Sequence, residues 1–577
     1  MAATSERNKG QRSLGGWLSR ATVIALTLAL VAWLAGFVQQ NSAYSFDSDE
    51  GVHAYEALRH STYLRDGDVV GALAASLRQS FYPPVHPWLL GMALTFLPAT
   101  HVTARLFSLA VYALDALLLY ALGRELARDT RWPWLAGLAA ALPMLAAPPA
   151  WVMGSLVYIE MMGALFVLLT LWGYWQGVEG HEWGWLAAGL GIIAAGLTKY
   201  VYGLFLSVPL VLTLVMQGCL ARQWRVFLKR LFLMMLPTAV VMLTWVALPV
   251  TRNGLMSFIA AQRDFAARSQ PSFFAHLVFY LRSIWLQFSP SPLISAGLLA
   301  AFIASVARWR DDKLRPLAFF FAWHLVGIST HAGLAPRFLT TAMPALWLMG
   351  GMWAARIADA WPGWIARQGT ERKWGARLAM WAAIAALALT AILGLVKQMT
   401  LYPTLYMLSL ETDARAESLY KWMATVLPPG PARIGLVNDW DQMSGPASGW
   451  ELTTRRAPAP RRADLVTVWE MHRLPDPTPE NVAALRDQMS QRGINYLIAY
   501  TAPGVGIKRL QGALAILGDQ AQPQGERDFP LRWYWPDKID HRLYDGEHLD
   551  DEQLRQAVEQ LGIERSLTVS VYAFRPK

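Results

Sequence analysis

Cysteine is almost absent: Cys219 is the single one in 577 residues. No intrachain disulfide can form, so any part of the chain outside a membrane must hold together by packing alone. Charge is scarce as well. Asp, Glu, Lys and Arg supply 16% of the residues, where soluble domains carry about a quarter, and 54% of the chain is hydrophobic. That balance excludes an ordinary soluble enzyme and points to a polytopic membrane protein. The formal net charge of +10 is better explained by Lys and Arg in cytoplasmic loops than by nucleic acid. No internal repeat is evident, which counts against a transporter built from repeated halves. A nucleotide-sugar motif is missing too.

What is present is a series of apolar runs. The first, Ala21 to Val38, follows Arg7, Lys9, Arg12 and Arg20. It exceeds a usual signal-peptide core and no small-residue cleavage site follows it, so it is expected to be an uncleaved anchor with its N-terminus inside. Counting on gives about eleven spans, near 18–38, 102–123, 133–149, 151–175, 184–198, 201–218, 231–250, 290–307, 316–331, 337–355 and 378–396. The loops this assigns to the cytoplasm are mostly basic. They hold Arg124, Arg128 and Arg131; Arg222, Arg225, Lys229 and Arg230; Arg308, Arg310, Lys313 and Arg315; and Arg356, Arg367, Arg372, Lys373 and Arg377. An odd count places the C-terminal part outside, on the side of the first long loop.

The expected organisation is therefore a short cytoplasmic N-terminus (1–17), a transmembrane domain (18–398) whose first outer loop is 39–87, and an extracytoplasmic domain (399–577). In that last part a helix from Asp413 to Val426 stops at Pro428-Pro-Gly-Pro431. Strands are expected at Arg433–Asn438, Leu465–Trp469, Ile494–Tyr500 and Leu567–Phe574, with a helix from Asn481 to Arg492. Helices alternating with short apolar strands read as a small α/β domain. It carries no nucleotide or metal motif.

The chemistry-bearing residues lie at one edge of the membrane. Asp47, Asp49 and Glu50 stand just beyond the first span, ahead of an amphipathic stretch from Val52 to Leu64. The chain then returns through Tyr82-Pro-Pro-Val-His86-Pro-Trp. Charge runs are often no more than a solvated face. Carboxylates held at the lipid surface and followed by a proline-broken return can instead form a polar pocket, with a general base open to a lipid-borne reactant. Glu160, in the outer half of the fourth span, is either a structural partner for an interior Arg or a second functional acid. Arg105, Lys199 and Arg337 sit at the outer ends of spans, where the positive-inside bias disfavours cations. Each alone would be a snorkelling anchor, but together they suggest a shared anion such as a lipid phosphate. Asp49 and His53 have a spacing compatible with a divalent metal, although two ligands are weak grounds for one. His86 reads as a polar contact for substrate or loop.

Taken in order, Asp-Glu-Gly in the first outer loop, Pro-Pro-x-x-x-Trp-Leu, Arg105 heading a span, Leu-Thr-Lys199 and Pro-Arg337-Phe resemble the polytopic glycosyltransferases of the C-type fold. The nearest branch is the protein O-mannosyltransferase and lipid A aminoarabinose transferase group, and the likeness covers roughly residues 18–396. The resemblance implies an integral protein of the cytoplasmic (inner) membrane. It would move a sugar, with inversion, from a polyprenyl-phosphate donor to a hydroxyl of a lipid, glycan or protein acceptor outside the membrane. The family's aspartate falls on Asp49, with Asp47 the second choice, and its further acidic position falls on Glu160. Its phosphate-contacting cations fall on Arg105, Lys199 and Arg337. Tyr82, His86, Glu50 and His53 complete the candidate substrate contacts. Where the aminoarabinose transferases have Arg-Tyr after Asp-Glu, this chain has Val52-His53 one residue further on, so that sugar does not follow. The rival class is a transporter or flippase of an amphipathic anionic lipid.

Overall fold

The computed structural model describes residues 14–77, 82–269, 272–331, 335–366, 370–409, 412–413, 416–428, 431–437, 444–457, 459–471, 478–501, 514, 517–533 and 564–575. Arg7, Lys9, Arg12, Arg367, Pro429, Gly430 and Asn438 lie outside these residues.

Helices dominate up to Ser409. Among the described residues, five are long and apolar enough, by length and composition, to cross a bilayer: Gly15–Gln40, His101–Leu126, Glu160–Val178, Tyr200–Leu220 and Trp224–Ala247. Pro133–Leu145 and Pro148–Ser155 together make a sixth, bent by 68°. Shorter apolar helices follow at Phe273–Leu286, Pro292–Ala307 and Leu314–Ser329, then the longer Met343–Ala366 and Thr370–Ser409. The chain is a polytopic integral membrane protein. Its helices pack tightly where side chains are small. A Cβ on Gly184 would lie 2.3 Å from Gly177 N and 2.6 Å from Gly173 O, so only glycine lets helix Glu182–Gly196 lie against Glu160–Val178.

The stretch expected as one span at 151–175 is broken. Pro148 and Pro149 open a short helix that ends at Ser155, and residues 156–159 are non-helical before Glu160 starts the next one. A break at that depth needs partners for its freed backbone groups. One comes from the outer loop: Val157 N–H donates to Glu50 Oε1 at 2.8 Å. The last long helix braces the same break, with Tyr402 OH donating to Ser155 Oγ at 2.6 Å.

Three of the loops assigned to the cytoplasm meet at the far end of helix His101–Leu126. There Lys313 Nζ binds Asp129 Oδ2 and Leu126 O, at 2.6 and 3.0 Å, and Arg356 Nη2 binds Asp311 Oδ2 at 2.6 Å. With a rise of about 1.5 Å per residue, that end is roughly 30 Å from Arg105 and its surroundings.

Beyond Ser409 lies a six-stranded sheet in the order β1-β5-β6-β4-β2-β3. Its strands are β1 Thr412–Asp413, β2 Ala432–Val437, β3 Val466–Met471, β4 Tyr496–Thr501, β5 Ala521–Trp533 and β6 Glu564–Phe574. β2 runs parallel to β3 and β4, while β6 pairs antiparallel with β4 and β5. Alternation along β4 serves two cores. Ile498 and Tyr500 pack with Leu419, Tyr420 and Met423 of helix Ala416–Val426. Leu497 and Ala499 face Val482, Leu485 and Met489 of helix Pro479–Gln491. The expected strands and both expected helices appear, although the first helix begins at Ala416 and Asp413 belongs to β1; β1, β5 and helix Gly445–Arg456 are additional.

Helix Gly445–Arg456 ties this sheet unit to the outer loop. It crosses helix Ser48–Arg65 so closely that a Cβ on Gly51 would sit 2.9 Å from Ala447 N. Phe46 stacks edge-on to Trp450 with centroids 5.0 Å apart, and Tyr55 OH donates to Val466 O at 2.5 Å. Arg461 and Asp66 add an ion pair at 3.3 Å.

Candidate active site

The three acidic residues of the outer loop have three different fates. Asp47 is the N-cap of helix Ser48–Arg65: its Oδ1 accepts from Glu50 N at 2.6 Å, and Glu50 reaches back to complete a capping box. Its other oxygen accepts from Tyr158 OH. Burial, with the charges of Glu50 and Asp49 beside it, pushes the Asp47 carboxyl well above the ordinary carboxylate range.

Glu50 is fully buried against Arg105. Arg105 Nε donates to Oε1 at 3.0 Å and Nη2 to Oε2 at 2.8 Å. The same guanidinium donates to Tyr44 O and Ser45 O, at 3.2 and 3.1 Å. Arg105 is thus committed to holding the start of the outer loop onto the second long helix. Its donors face protein oxygens, so the geometry turns it away from the phosphate role that the resemblance implied.

Asp49 is the carboxylate left over. It lies in the first turn of its helix, where the helix dipole favours negative charge. Its side chain is 32% exposed, and Oδ2 accepts from Arg337 Nη2 at 2.7 Å. Burial would raise its pKa, but the Arg337 guanidinium, with His53 and Lys199, outweighs that and holds it below the usual value.

Arg337 stands in the 3-10 turn Pro336–Leu339, above the Tyr158 ring at 5.0 Å and beside Phe338 at 5.7 Å. The turn is anchored by His324, whose Nε2 lies 3.0 Å from Phe338 O. Lys199, just ahead of helix Tyr200–Ala221, brings Nζ to 3.8 Å from Glu160 Oε1 and 5.2 Å from the Phe338 ring. Glu160 opens helix Glu160–Val178, and its Oε2 is buried without a hydrogen-bond partner. The proline-broken return packs here as well: Val85 N donates to Leu197 O at 2.9 Å. That contact sets Tyr82 and His86 around His53, with ring centroids 4.6 and 5.4 Å away. Burial and the neighbouring His86 lower the His53 pKa well below its ordinary value, so the imidazole is neutral near pH 7.

The structure therefore gathers Asp49, Arg337, Lys199, Glu160, His53, His86 and Tyr82 into one site, and sets Glu50 and Arg105 behind it as support. Buried atoms without a hydrogen-bond partner cluster there: His53 Nδ1, His86 Nδ1, Glu160 Oε2, Tyr202 OH and Arg337 Nε. Such atoms call for a polar ligand or water. Among the described residues, no group of three or more His, Cys, Asp or Glu is placed to hold a metal ion, and Asp49 with His53 remains a pair. The sequence reading missed Tyr158, Tyr202 and His324. A lone histidine within the apolar run Phe319-Phe-Phe-Ala-Trp-His324 was the available signal.

No family model matches the chain, and no curated protein matches it in sequence. Solved structures do. The structure of ArnT from Cupriavidus metallidurans bound to undecaprenyl phosphate aligns with a TM-score of 0.52 and 16% identity, over 87% of this chain and 95% of that one. Its apo state aligns at 0.53 and 17%, over 88% and 96%. An oligosaccharyltransferase from Archaeoglobus fulgidus aligns more loosely, at 0.48 and 13%, over 83% and 67%. The chain has the C-type glycosyltransferase fold. Within that fold, its likeness to ArnT spans the membrane part and the sheet unit together.

Proposed function

We propose that the protein is an inverting glycosyltransferase that moves a sugar from a polyprenyl-phosphate donor to a hydroxyl acceptor on the extracytoplasmic face of the cytoplasmic membrane. One observation carries the reading: a partly exposed carboxylate, Asp49, converges with two cations, Arg337 and Lys199, at the ends of apolar helices in a fold shared with a protein solved with undecaprenyl phosphate.

The chemistry follows from the groups present. Asp49 takes the proton of the acceptor hydroxyl. The freed oxygen pair forms the new bond to the anomeric carbon as the carbon–oxygen bond to phosphate breaks. That electron pair goes to the phosphate oxygen, and polyprenyl phosphate leaves with Arg337 and Lys199 balancing its charge. Attack opposite the leaving group inverts the anomeric centre. His53, His86 and Tyr202 supply polar atoms for the hydroxyls of the sugar.

The test is transfer by purified protein in lipid, with a polyprenyl-phosphate sugar set against the matching nucleotide sugar. Product is expected from the lipid donor alone, and efficient use of the nucleotide sugar overturns the class. A reporter fused after Lys577 is expected to be active only outside the cytoplasm.

A further inference from the structure

We infer that the donor's phosphate displaces Asp49 from Arg337, so that the base is released only once the donor is in place. This rests on the reading of the site as one for a polyprenyl-phosphate sugar, and adds that the carboxylate and the phosphate compete for one guanidinium.

Each of the three cations in or just behind the site already has a carboxylate: Arg105 has Glu50, Lys199 has Glu160 and Arg337 has Asp49. An incoming phosphate must therefore take a cation from a carboxylate. The three pairs are not equally able to give one up. Arg105–Glu50 is fully buried, with two mutual hydrogen bonds and two further ones to backbone carbonyls. Opening it would strand both charges out of water. Lys199–Glu160 is already loose at 3.8 Å. In Arg337–Asp49 both side chains are about a third exposed, at 29% and 32%, and Arg337 Nε has no acceptor. A phosphate brought to that edge by lipid can take Nε and Nη2 together, the planar two-point contact that guanidinium favours.

The surroundings keep the cation in place during the exchange. Tyr158 and Phe338 hold the guanidinium by their ring faces whichever anion it serves. Tyr158 itself is fixed through its hydroxyl to Asp47. Once Asp49 loses Arg337, burial acts on it with less opposition, and its proton affinity rises. His53 and Lys199 remain beside it, while Glu160 and Tyr82 also face the charge of Arg337. A carboxylate clamped by arginine is a weak base; released, it can accept the acceptor's proton. The proton then leaves to solvent, and Arg337 returns to Asp49 as polyprenyl phosphate departs. Base strength is thereby tied to donor occupancy, and donor binds before acceptor.

The test is binding of undecaprenyl phosphate to the detergent-purified full chain, measured for wild type, Asp49→Asn, Asp49→Ala, Asp47→Asn and Arg337→Ala. Removing the competing carboxylate should tighten binding about tenfold in both Asp49 variants, equivalent to about 1.4 kcal/mol. Arg337→Ala should weaken it by about as much, and Asp47→Asn should change it less than about twofold. A carboxylate that served only as a base would leave affinity unmoved, and one that held the site in shape would weaken it on removal. Either result in the Asp49 variants, with wild type binding normally, overturns the exchange and leaves the proposed reaction standing. Failure of wild type to bind undecaprenyl phosphate overturns the reading of the site itself.

Discussion

Glu50 and Arg105 face each other with no exposed side-chain surface, joined by hydrogen bonds of 3.0 and 2.8 Å. The pair pins the outer loop to helix His101–Leu126, and through Glu50 Oε1 it also holds Val157 in the broken span. A cation in that position is structural. Breaking a buried pair by removing one partner costs about 3–5 kcal/mol. Arg105→Ala should therefore lower the melting temperature in detergent markedly, whether or not donor is present. A variant that melts normally and loses only donor affinity would return Arg105 to the phosphate.

Gly51 is the residue on which the sheet unit closes. A Cβ there would meet Ala447 at 2.9 Å through backbone N and 3.1 Å through Cβ, and neither can swing aside. Gly51→Leu should push helix Gly445–Arg456 off the helix that carries Asp49 and lower turnover at least about tenfold, with the membrane helices intact. Protease cutting between the sheet unit and the last long helix should quicken in parallel. Full turnover would mean that the sheet unit does not set the position of Asp49.

Lys199 and Arg337 are the cations expected to hold the phosphate. A charge-assisted hydrogen bond is worth about 1.5–3 kcal/mol, so each Ala variant should weaken the Kd for a polyprenyl-phosphate sugar by about 10- to 100-fold. Melting curves should move little, because both side chains are partly exposed. If both variants bind donor normally, these residues are interfacial anchors only.

His53 gives a pH signature. Its pKa is depressed in the folded chain, so between that value and the ordinary 6.5 the unfolded state binds more protons. Stability from His53 is full above about pH 6.5 and falls as pH drops below it, by up to about 1.4 kcal/mol per unit. His53→Gln should flatten part of the loss of melting temperature between pH 7 and pH 5. An unchanged slope would assign that loss to other buried histidines.

The sequence made much of this legible because charge in an apolar chain is rare enough to stand out. Lys199 and Arg337 are isolated charges at span ends and Glu160 is one inside a span, and the structure gathers all three around Asp49. Four of the six strands of the sheet unit, β2, β3, β4 and β6, were readable from their runs of Val, Ile and Leu. What could not be read was which carboxylate does what. Asp47, Asp49 and Glu50 look alike in sequence, and only burial and partners separate a cap, a structural pair and an available acid. The break before Glu160 was hidden because Leu156, Val157 and Ile159 are apolar enough to continue a span. Helix Gly445–Arg456 was hidden for the opposite reason: it buries Ser448, Glu451 and Thr453, so it shows little apolar periodicity.

The most direct test of the account is turnover by Asp49→Asn with a polyprenyl-phosphate sugar, read beside Asp47→Asn. The amide keeps the shape and an acceptor oxygen but cannot take a proton near neutral pH. Transfer should fall by about 100-fold or more, the range expected for loss of a general base, while the lipid donor still binds. Asp47→Asn should be milder, since its cap and its bond to Tyr158 survive in part. Near-normal turnover by Asp49→Asn, with Asp47→Asn or Glu160→Gln inactive, would contradict the assignment of the base.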